Sequence, residues 1–305
     1  MRSNKLGSYL LERMKVYEAD EKQRIVELGW MLQELRRKRN LRPLSLQECS
    51  EKEILKLKFW ISCRAKGKPL QYCLGNQPFM DLEIKLRQPV LIPRWETEEW
   101  TENLVNEIKK EIGNSNSPKR ILELCTGTGC VSLALAKHLP TSKIGKIFQT
   151  AIYRESSDAI DISKHSILLA KLNQKRLKIG CSDSRLSFHQ ADLFNDQDLK
   201  KFGNYNLVVS NPPYIPLKEY NQLDPSVKDF EDEGALLTRD DEGIEFYQRI
   251  SQSKWLFSKG SKLVFEIGAQ QGKLVTKILK DLDFNNVTVT KDSAGRDRVV
   301  TASIS

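Results

Sequence analysis

The sequence predicts an α/β protein with a mostly parallel seven-stranded sheet, preceded by a small helical N-terminal domain and a linking β-hairpin. Seven short apolar runs alternate with helical patterns after about residue 96, which is typical of a parallel sheet with helices on both faces. The region 1–75 shows helical spacing instead, and an extended stretch at 78–93 separates the two regions. We therefore expect a helical domain over 1–75, a hairpin linker over 76–95 and the α/β domain over 96–305.

Length and composition fit a globular protein with two domains. The chain has 305 residues, of which 39% are hydrophobic and 29% are charged, and this is enough to bury a sizeable core. Its longest apolar runs, such as 131–136, are far shorter than the roughly 20 residues of a membrane-spanning helix. Charges interrupt the stretch from Met1 to Ala19, so we expect no secretory signal. The six cysteines include no CxxC pair, so we expect no metal site.

The N-terminal region is predicted to form basic helices. Apolar residues recur at spacings of three and four, at Ile25, Leu28, Leu32 and Leu35. Ser45 and Ser50 are each followed three residues later by a glutamate, which matches the capping box of helix N-termini. Residues 1–75 contain 17 Lys and Arg against 9 Asp and Glu, and so hold most of the net charge of +9. This excess indicates either an anionic partner or a solvated helical surface.

The α/β domain is predicted from seven strand candidates, which are 120–125, 159–162, 186–189, 207–210, 262–267, 286–290 and 298–302. Helical patterns occupy 131–138, 163–180, 243–254 and 271–282. Because a short loop joins the last two strands, we expect one of them to run antiparallel. Residues 114–118 are predicted to form a short loop. The connection from Pro140 to Asp161 is about ten residues longer than such connections usually are.

A glycine-rich loop follows the first predicted strand. It reads Glu123-Leu124-Cys125-Thr126-Gly127-Thr128-Gly129 and leads into an apolar helix. Glycines let the backbone approach a ligand and turn sharply into the helix. In open parallel sheets, ligands bind at the carboxyl ends of the strands near the switch in strand order. The loop alone is compatible with either a dinucleotide or S-adenosylmethionine.

Acidic residues end the next two predicted strands. Asp161 stands where a carboxylate can accept hydrogen bonds from both ribose hydroxyls. Asp192, which precedes Leu193, is predicted to accept a hydrogen bond from an adenine amino group. Either acid alone could be a helix cap or a surface charge. Three polar strand ends in series favour a nucleotide-like cofactor.

The fourth predicted strand ends in Asn211-Pro212-Pro213-Tyr214. These residues could simply form a turn. The chemical alternative starts from an amide or aromatic amine nitrogen, which is a poor nucleophile because its lone pair is delocalised. Two acceptors that bind both of its N–H groups would orient it and favour the charge that develops during attack. We predict the Asn211 side-chain oxygen and the Pro212 carbonyl as these acceptors, with Tyr214 stacked on the planar group and the prolines stiffening the loop.

The sequence resembles a known family. Asn-Pro-Pro-Tyr after a glycine loop is similar to methyltransferases that act on planar nitrogens, both adenine-N6 and glutamine-N5 enzymes. Further segments resemble the release-factor glutamine methyltransferases (the PrmC/HemK family), and they are 92–98 (Ile-Pro-Arg-Trp-Glu-Thr-Glu), 265–268 (Phe-Glu-Ile-Gly), 294–300 (Ala-Gly-Arg-Asp-Arg-Val-Val), Gln71-Tyr72, Phe230-Glu231 and 241–243. The resemblance runs from about Gln71 to the C-terminus in the family's order.

The resemblance implies a Rossmann-like class I methyltransferase fold with S-adenosyl-L-methionine as cofactor. It implies methyl transfer to the amide N5 of the glutamine in the Gly-Gly-Gln motif of class I peptide-chain release factors, which the helical N-terminal domain would help to grip. The cofactor-binding residues would be Glu123, Thr126, Gly127, Gly129, Asp161, Asp192, Leu193 and Asn211. The substrate glutamine would be bound by Asn211, Pro212, Pro213 and Tyr214, with Asn211, Pro212 and Tyr214 catalytic. Bordering this pocket would be Arg94, Glu96, Thr97 and Glu231.

Two residues depart from the family pattern. Trp95 and Asp232 stand where the family commonly has prolines. The Trp95 variant resembles fungal mitochondrial members, which implies a mitochondrial location with the cytoplasm as the alternative. Basic residues at positions 2, 5 and 13 give that location modest support, because nearby glutamates dilute the signal of a transit peptide.

Two other functions remain open on the sequence. An adenine-N6 methyltransferase would be favoured by the basic N-terminal region, but such an enzyme flips its base and usually carries a target-recognition region. A non-catalytic subunit with a degenerate methyltransferase fold is the second, and the intact Asn211, Asp161 and glycine loop argue against it. We expect a monomer with neither a membrane contact nor specific nucleic-acid binding.

Overall fold

The computed structural model describes residues 2–37, 46–112, 120–139, 157–180 and 186–305. Ser45, the basic residues at 38 and 39, the predicted loop at 114–118 and positions 140–156 of the long connection lie outside these ranges. The chain divides into two compact units. Unit 1 comprises Met1–Asn76 with Asp224–Phe230, and unit 2 comprises Gln77–Leu223 with Glu231–Ser305. Within the described ranges, no helix is long and apolar enough to cross a membrane.

Unit 1 is helical. Its helices are α1 (Arg2–Met14), α2 (Glu21–Arg37), α3 (Glu51–Arg64), α4 (Leu70–Leu74) and, from the second segment, α10 (Pro225–Lys228). The core contains Leu10, Met14, Leu28, Met31, Leu57, Trp60, Ile61 and Leu70. The predicted capping box of α3 is confirmed, because the Ser50 N–H donates to Glu53 Oε2 at 2.9 Å and the Glu53 N–H donates to Ser50 Oγ at 3.4 Å.

One face of α2 differs from the simple apolar stripe in the sequence. Leu28 is buried, but Ile25 is exposed. The buried face of α2 instead includes three charged residues, Arg24, Glu27 and Glu34. Glu27 is compensated by Arg64, whose Nε lies 2.5 Å from Glu27 Oε1. Because this ion pair is partly buried, it places charged side chains at helical positions that the apolar spacing of the sequence does not predict.

Unit 2 contains the predicted hairpin and the predicted sheet. The hairpin strands are β1 (Asn76–Phe79) and β2 (Leu82–Lys85), and they end well before Pro93. The large sheet has the strands β3 (Ile121–Leu124), β4 (Ser157–Asp161), β5 (Leu186–Gln190), β6 (Tyr205–Ser210), β7 (Phe257–Glu266), β8 (Asn285–Lys291) and β9 (Asp297–Ser303).

The order of the large sheet is β5-β4-β3-β6-β7-β9-β8. Strands β3 to β7 pair in parallel, and β9 runs antiparallel to both of its neighbours. The predictions of seven strands in this sheet, and of one antiparallel strand among the last two, are therefore confirmed. The chain moves outward from β3 through β4 to β5 and then returns to β6, so the switch in strand order lies between β3 and β6.

The main helices of unit 2 are α5 (Trp95–Ile112), α6 (Cys130–His138), α7 (Lys164–Leu177), α11 (Glu245–Gln252) and α12 (Gly272–Asp281), with short helices α8 (Asp196–Leu199) and α9 (Leu217–Tyr220). The helix predicted at 163–180 ends at Leu177, because Lys178 and Gly180 have positive φ angles of 56° and 63°. The core between helices and sheet includes Leu122, Leu124, Val208, Tyr247, Leu263, Phe265, Val275 and Leu279.

Candidate active site

A cavity of about 550 Å³ opens at the carboxyl ends of β3, β4 and β6, beside the switch in strand order. Six of the predicted site residues line it, and they are Gly127, Asp161, Asp192, Leu193, Asn211 and Pro213. A volume of this size is typical of pockets for small molecules and cofactors. The sheet register explains the convergence, because Leu124 pairs with Ile160 on one side and with Ser210 on the other.

The glycine-rich loop after β3 has a tight backbone. Cys125, Gly127 and Gly129 have positive φ angles of 61°, 55° and 79°. Gly129 also lies against α7 and β5, where a Cβ would come within 3.0 Å of the Ala170 Cβ and a Phe188 ring atom. Both its conformation and its packing therefore require glycine.

Glu123 and Thr126 support this loop from beneath. The Thr126 hydroxyl donates to Glu123 Oε2 at 2.6 Å, and both the N–H (3.1 Å) and the hydroxyl of Ser132 donate to the same oxygen. Burial raises the pKa of Glu123 to about 7, while these hydrogen bonds oppose the rise. Neither Glu123 nor Thr126 is among the cavity-lining residues, so their side chains hold the loop in shape.

Asp161 joins the loop to the end of β4. Its Oδ2 accepts the Gly127 N–H at 2.8 Å, and its Oδ1 accepts the Ser163 N–H at 2.8 Å. Burial raises the pKa of Asp161, and the two backbone N–H groups oppose this shift. The carboxylate therefore both orders the loop and contributes an acceptor to the wall of the cavity.

Asp192 follows β5 and forms a compact turn. Its Oδ1 accepts the Phe194 N–H at 2.9 Å. Phe194 lines the cavity next to Leu193, and its ring meets Phe246 edge to face with 5.1 Å between the centroids. Asp192 thus lies beside an aromatic wall, a combination that suits a flat heterocycle with an amino group.

Asn211 begins the loop that follows β6. Its Nδ2 donates to the Thr97 hydroxyl oxygen at 3.2 Å, and Pro212 and Pro213 are buried next to it. At the other end of the loop, the Tyr214 carbonyl accepts a hydrogen bond from Gln271 Nε2 at 3.0 Å. Burial raises the pKa of the Tyr214 hydroxyl to about 12, so the ring stays neutral at physiological pH. The loop is therefore anchored at both ends.

The four residues predicted to border the substrate are all bonded within unit 2. Arg94 Nη2 lies 2.6 Å from Glu231 Oε1, and the Ile92 N–H donates to Glu231 Oε2 at 3.0 Å. Glu96 pairs with Arg296 at 3.2 Å. The Thr97 hydroxyl donates to Glu266 Oε2 at 2.7 Å. None of the four predicted residues lines the cavity itself, and their contacts support the segments around it.

Comparison with known proteins decides the family. No protein-family model matches the chain. The release factor glutamine methyltransferase of Bacteroides thetaiotaomicron is 32% identical over 85% of this chain and 83% of the relative. That of Thermodesulfovibrio yellowstonii is 35% identical over 83% of this chain and 82% of the relative. The probable MRF1 mitochondrial N(5)-glutamine methyltransferase of Schizosaccharomyces pombe is 34% identical over 78% of this chain and 75% of the relative.

The chain belongs to the release factor glutamine methyltransferases. These relatives confirm the predicted family and, with it, the predicted cofactor S-adenosylmethionine. The mostly parallel sheet agrees with the predicted α/β, Rossmann-like fold. The cavity fits that cofactor. Gly127 leaves room for a ligand, because among the described residues only its own backbone and its two chain neighbours lie within 4 Å of a Cβ placed there. Asp161 offers an acceptor, and the aromatic wall offers a surface for stacking.

The two departures from the family pattern are accommodated in this methyltransferase. Trp95 is the first residue of α5, and its side chain is exposed. The Asp232 N–H donates to the Pro89 carbonyl at 2.7 Å, and its carboxylate accepts the Gly234 N–H at 3.0 Å. A proline has no N–H to donate, so the first of these bonds is specific to this variant. Asp232 also lines the cavity.

Several residues that contribute to the site of this methyltransferase were not predicted from the sequence. Phe194 and Phe246 form a wall of the cavity, and Gln271 and Glu266 hold the loop from Asn211 to Tyr214 through the contacts above. Phe194 directly follows Asp192-Leu193, so its position in the sequence could have identified it as a cavity residue. Phe246 and Gln271 come from distant helical segments, and nothing in their local sequence indicates this contact.

Proposed function

We propose that this enzyme transfers a methyl group from S-adenosylmethionine to the side-chain amide N5 of the glutamine in the Gly-Gly-Gln motif of a class I release factor. The relatives named above support the reaction and the class of substrate. The observation that carries the proposal is the placement of Asn211. It lines the cofactor cavity, and its amide nitrogen is bound to Thr97, which leaves the amide oxygen available as an acceptor.

The cofactor would be held by the three strand ends described above. Asp161 would accept hydrogen bonds from the ribose hydroxyls, and the loop around Gly127 would lie against the amino-acid part of the cofactor. Asp192 would accept from the adenine amino group, with Leu193 and Phe194 against the ring. When bound, S-adenosylmethionine supplies a methyl group that is activated by its positively charged sulfur.

Catalysis would consist of positioning and electrostatic stabilisation. The Asn211 oxygen and the Pro212 carbonyl would accept the two N–H groups of the glutamine amide, which orients the nitrogen lone pair toward the methyl group. As positive charge builds on that nitrogen, both acceptors bind it more strongly. The buried prolines and the Gln271 contact keep the acceptors in place before the reaction, and Tyr214 would pack against the planar amide.

The direct test is intact mass spectrometry of a purified class I release factor after incubation with this enzyme and S-adenosylmethionine. We expect a gain of one methyl group on the Gly-Gly-Gln glutamine and none when that glutamine is replaced by asparagine. Methylation of adenine in nucleic acid without any on the release factor would replace the proposal by the adenine-N6 function. Cofactor binding without either product would favour a non-catalytic subunit.

A variant of Asn211 tests the mechanism. Asn211→Ala should retain cofactor binding and lose about 10²–10³-fold in turnover, which is the usual effect of losing one preorganised hydrogen-bonding group. Asn285→Ala, at an exposed asparagine on β8, is the matched control and should keep wild-type turnover. Near-normal turnover in Asn211→Ala would contradict the proposed role.

We also propose that unit 1 binds the body of the release factor. Its helix α2 exposes Ile25, Val26 and Trp30, and α3 exposes Leu55 and Phe59. Exposed apolar residues grouped on helices commonly mark protein-binding surfaces. Trp30→Ala combined with Phe59→Ala should raise KM for the intact release factor and leave KM for a short Gly-Gly-Gln peptide unchanged. An equal change for both substrates would contradict this role.

A mitochondrial location is the last part of the proposal. It is supported by the fission yeast relative, whose name places that protein in mitochondria, and by the basic residues near the N-terminus. Import into isolated fungal mitochondria tests it, with protection from added protease as the expected result. A protein that stays outside and protease-sensitive would favour the cytoplasm.

A further inference from the structure

We propose that Thr97 and Glu266 are positioning residues that set the orientation of the Asn211 side-chain amide. This inference rests on the proposed function. The three side chains form a continuous hydrogen-bonded series. Asn211 Nδ2 donates to Thr97 Oγ1 at 3.2 Å, and Thr97 Oγ1 donates to Glu266 Oε2 at 2.7 Å. Thr97 and Glu266 are 3% and 1% exposed, so water does not compete for the bond between them.

The direction of each bond follows from Trp100. Its indole N–H can only donate, and it donates to Glu266 Oε2 at 2.7 Å. When Glu266 is ionised, or carries its proton on Oε1, Oε2 can only accept, so the bond between Thr97 and Oε2 is donated by the Thr97 hydroxyl. The single proton of the Thr97 hydroxyl is directed to Oε2, which leaves only lone pairs facing Asn211.

The orientation of the Asn211 amide is the consequence. Only its NH₂ group can bond to a lone pair, so Oδ1 is the group that is left for the cavity that Asn211 lines. An amide in the flipped orientation would bring Oδ1 against the Thr97 oxygen, with two acceptors facing each other and no proton between them. It would also present NH₂ to the substrate amide, which needs an acceptor. Thr97 thus selects the productive orientation over the unproductive one.

The secondary structure explains why this series is rigid. Thr97 and Trp100 lie three residues apart in the first turns of α5, so they share one face of the helix. Glu266 is the last residue of β7, and β7 is adjacent to β6, with Ser210 paired to Phe265. Glu266 therefore lies next to Asn211 across the sheet. In addition, the Thr101 hydroxyl donates to the Thr97 carbonyl at 2.7 Å.

Substitutions of similar size test the role of Thr97. Thr97→Val removes the hydroxyl at nearly constant volume and should lower kcat about tenfold to a hundredfold, a part of the loss expected for removing Asn211 itself. The Kd for S-adenosylmethionine should stay within about twofold. Thr97→Ser keeps the hydroxyl and should restore most of the turnover. Likewise, Glu266→Gln keeps an acceptor oxygen and should be far more active than Glu266→Leu.

A double-mutant cycle separates positioning from general damage. If Thr97 acts through Asn211, Thr97→Val should cost almost nothing further in an enzyme that already carries Asn211→Ala. An equal loss in both backgrounds would overturn the proposal, as would wild-type turnover in Thr97→Val.

A second readout does not depend on activity. The side-chain amide ¹H–¹⁵N signals of Asn211 in the cofactor-free enzyme can be assigned by their absence in Asn211→Ala. They should move in Thr97→Val and stay near their wild-type positions in Thr97→Ser. Unchanged signals in Thr97→Val would overturn the positioning role. If the wild-type enzyme leaves release factors unmethylated, the proposed function fails by itself, and these signals still decide whether Thr97 orients Asn211.

Discussion

Replacing Glu123 by glutamine should remove a pH-dependent loss of folding stability that arises beneath the cofactor loop. Glu123 is 4% exposed, and all of its described donors, from Thr126 and Ser132, converge on one oxygen. A glutamine can present its single carbonyl oxygen to the same donors. The substitution therefore keeps the shape of the loop and removes only the ability to become charged.

The magnitude follows from the pKa of Glu123, which burial raises from the ordinary 4.5 to about 7. Below pH 4.5 the carboxyl group is protonated in both the folded and the unfolded protein. As the pH rises from 4.5 to 7, the unfolded chain loses this proton first, so the folded state becomes less stable relative to it. The loss is complete above pH 7 and amounts to about 3 kcal/mol for this difference in pKa.

The assay is urea unfolding of the wild type and Glu123→Gln between pH 4 and pH 8. The wild-type free energy of unfolding minus that of the variant should fall by about 3 kcal/mol across this range. Glu102→Gln, at an exposed glutamate on α5, controls for the general loss of a negative charge. A difference that does not change with pH would refute the reasoning. So would a ¹³C carboxyl signal, absent in Glu123→Gln, that titrates near pH 4 in the wild type.

Two further predictions concern the strand ends and the catalytic loop. Asp161→Ala removes the acceptor for the N–H groups of Gly127 and Ser163. It should weaken the binding of S-adenosylmethionine about tenfold to a hundredfold, because hydrogen bonds to charged groups contribute about 1.5–3 kcal/mol. Calorimetric titration checks this, and unchanged affinity would argue against a cofactor role. Gln271→Leu removes the Nε2 group that donates to the Tyr214 carbonyl. The variant should lower the free energy of unfolding by about 1–3 kcal/mol. It should also lower kcat more than it changes KM for the cofactor. Urea unfolding and steady-state kinetics measure both, and a stability loss with unchanged kcat would show that the contact does not serve the loop.

The convergence of the predicted cofactor residues on one cavity was largely predictable from the sequence. Asp161 ends a strand, Gly127, Asp192 and Leu193 follow strand ends closely, and all four line the cavity. Strand ends can be recognised locally, because apolar runs and turn residues mark them. In a parallel sheet these ends meet at one edge, so the convergence follows from the fold class.

The details within each element were less predictable. The family resemblance implied that Glu123 and Thr126 bind the cofactor. In the structure the Thr126 hydroxyl donates to the Glu123 carboxylate, and neither residue lines the cavity. The predicted helix at 163–180 ends at Leu177, because Lys178 adopts a left-handed conformation. Side-chain direction and helix ends depend on the packing that surrounds them, which periodicity does not describe.

The alternation of strands and helices, the glycine loop, the acidic strand ends and the Asn-Pro-Pro-Tyr segment can all be recognised in the amino-acid sequence. The contacts that hold Asn211 are visible only in the folded protein. Thr97 precedes the whole large sheet in the chain, and Glu266 ends β7. Thr97 contacts both Glu266 and Asn211 because α5 packs beside the end of β7, the strand adjacent to β6. Local patterns report the preferences of neighbouring residues, whereas the direction of a buried hydrogen bond depends on partners that the folded sheet brings together.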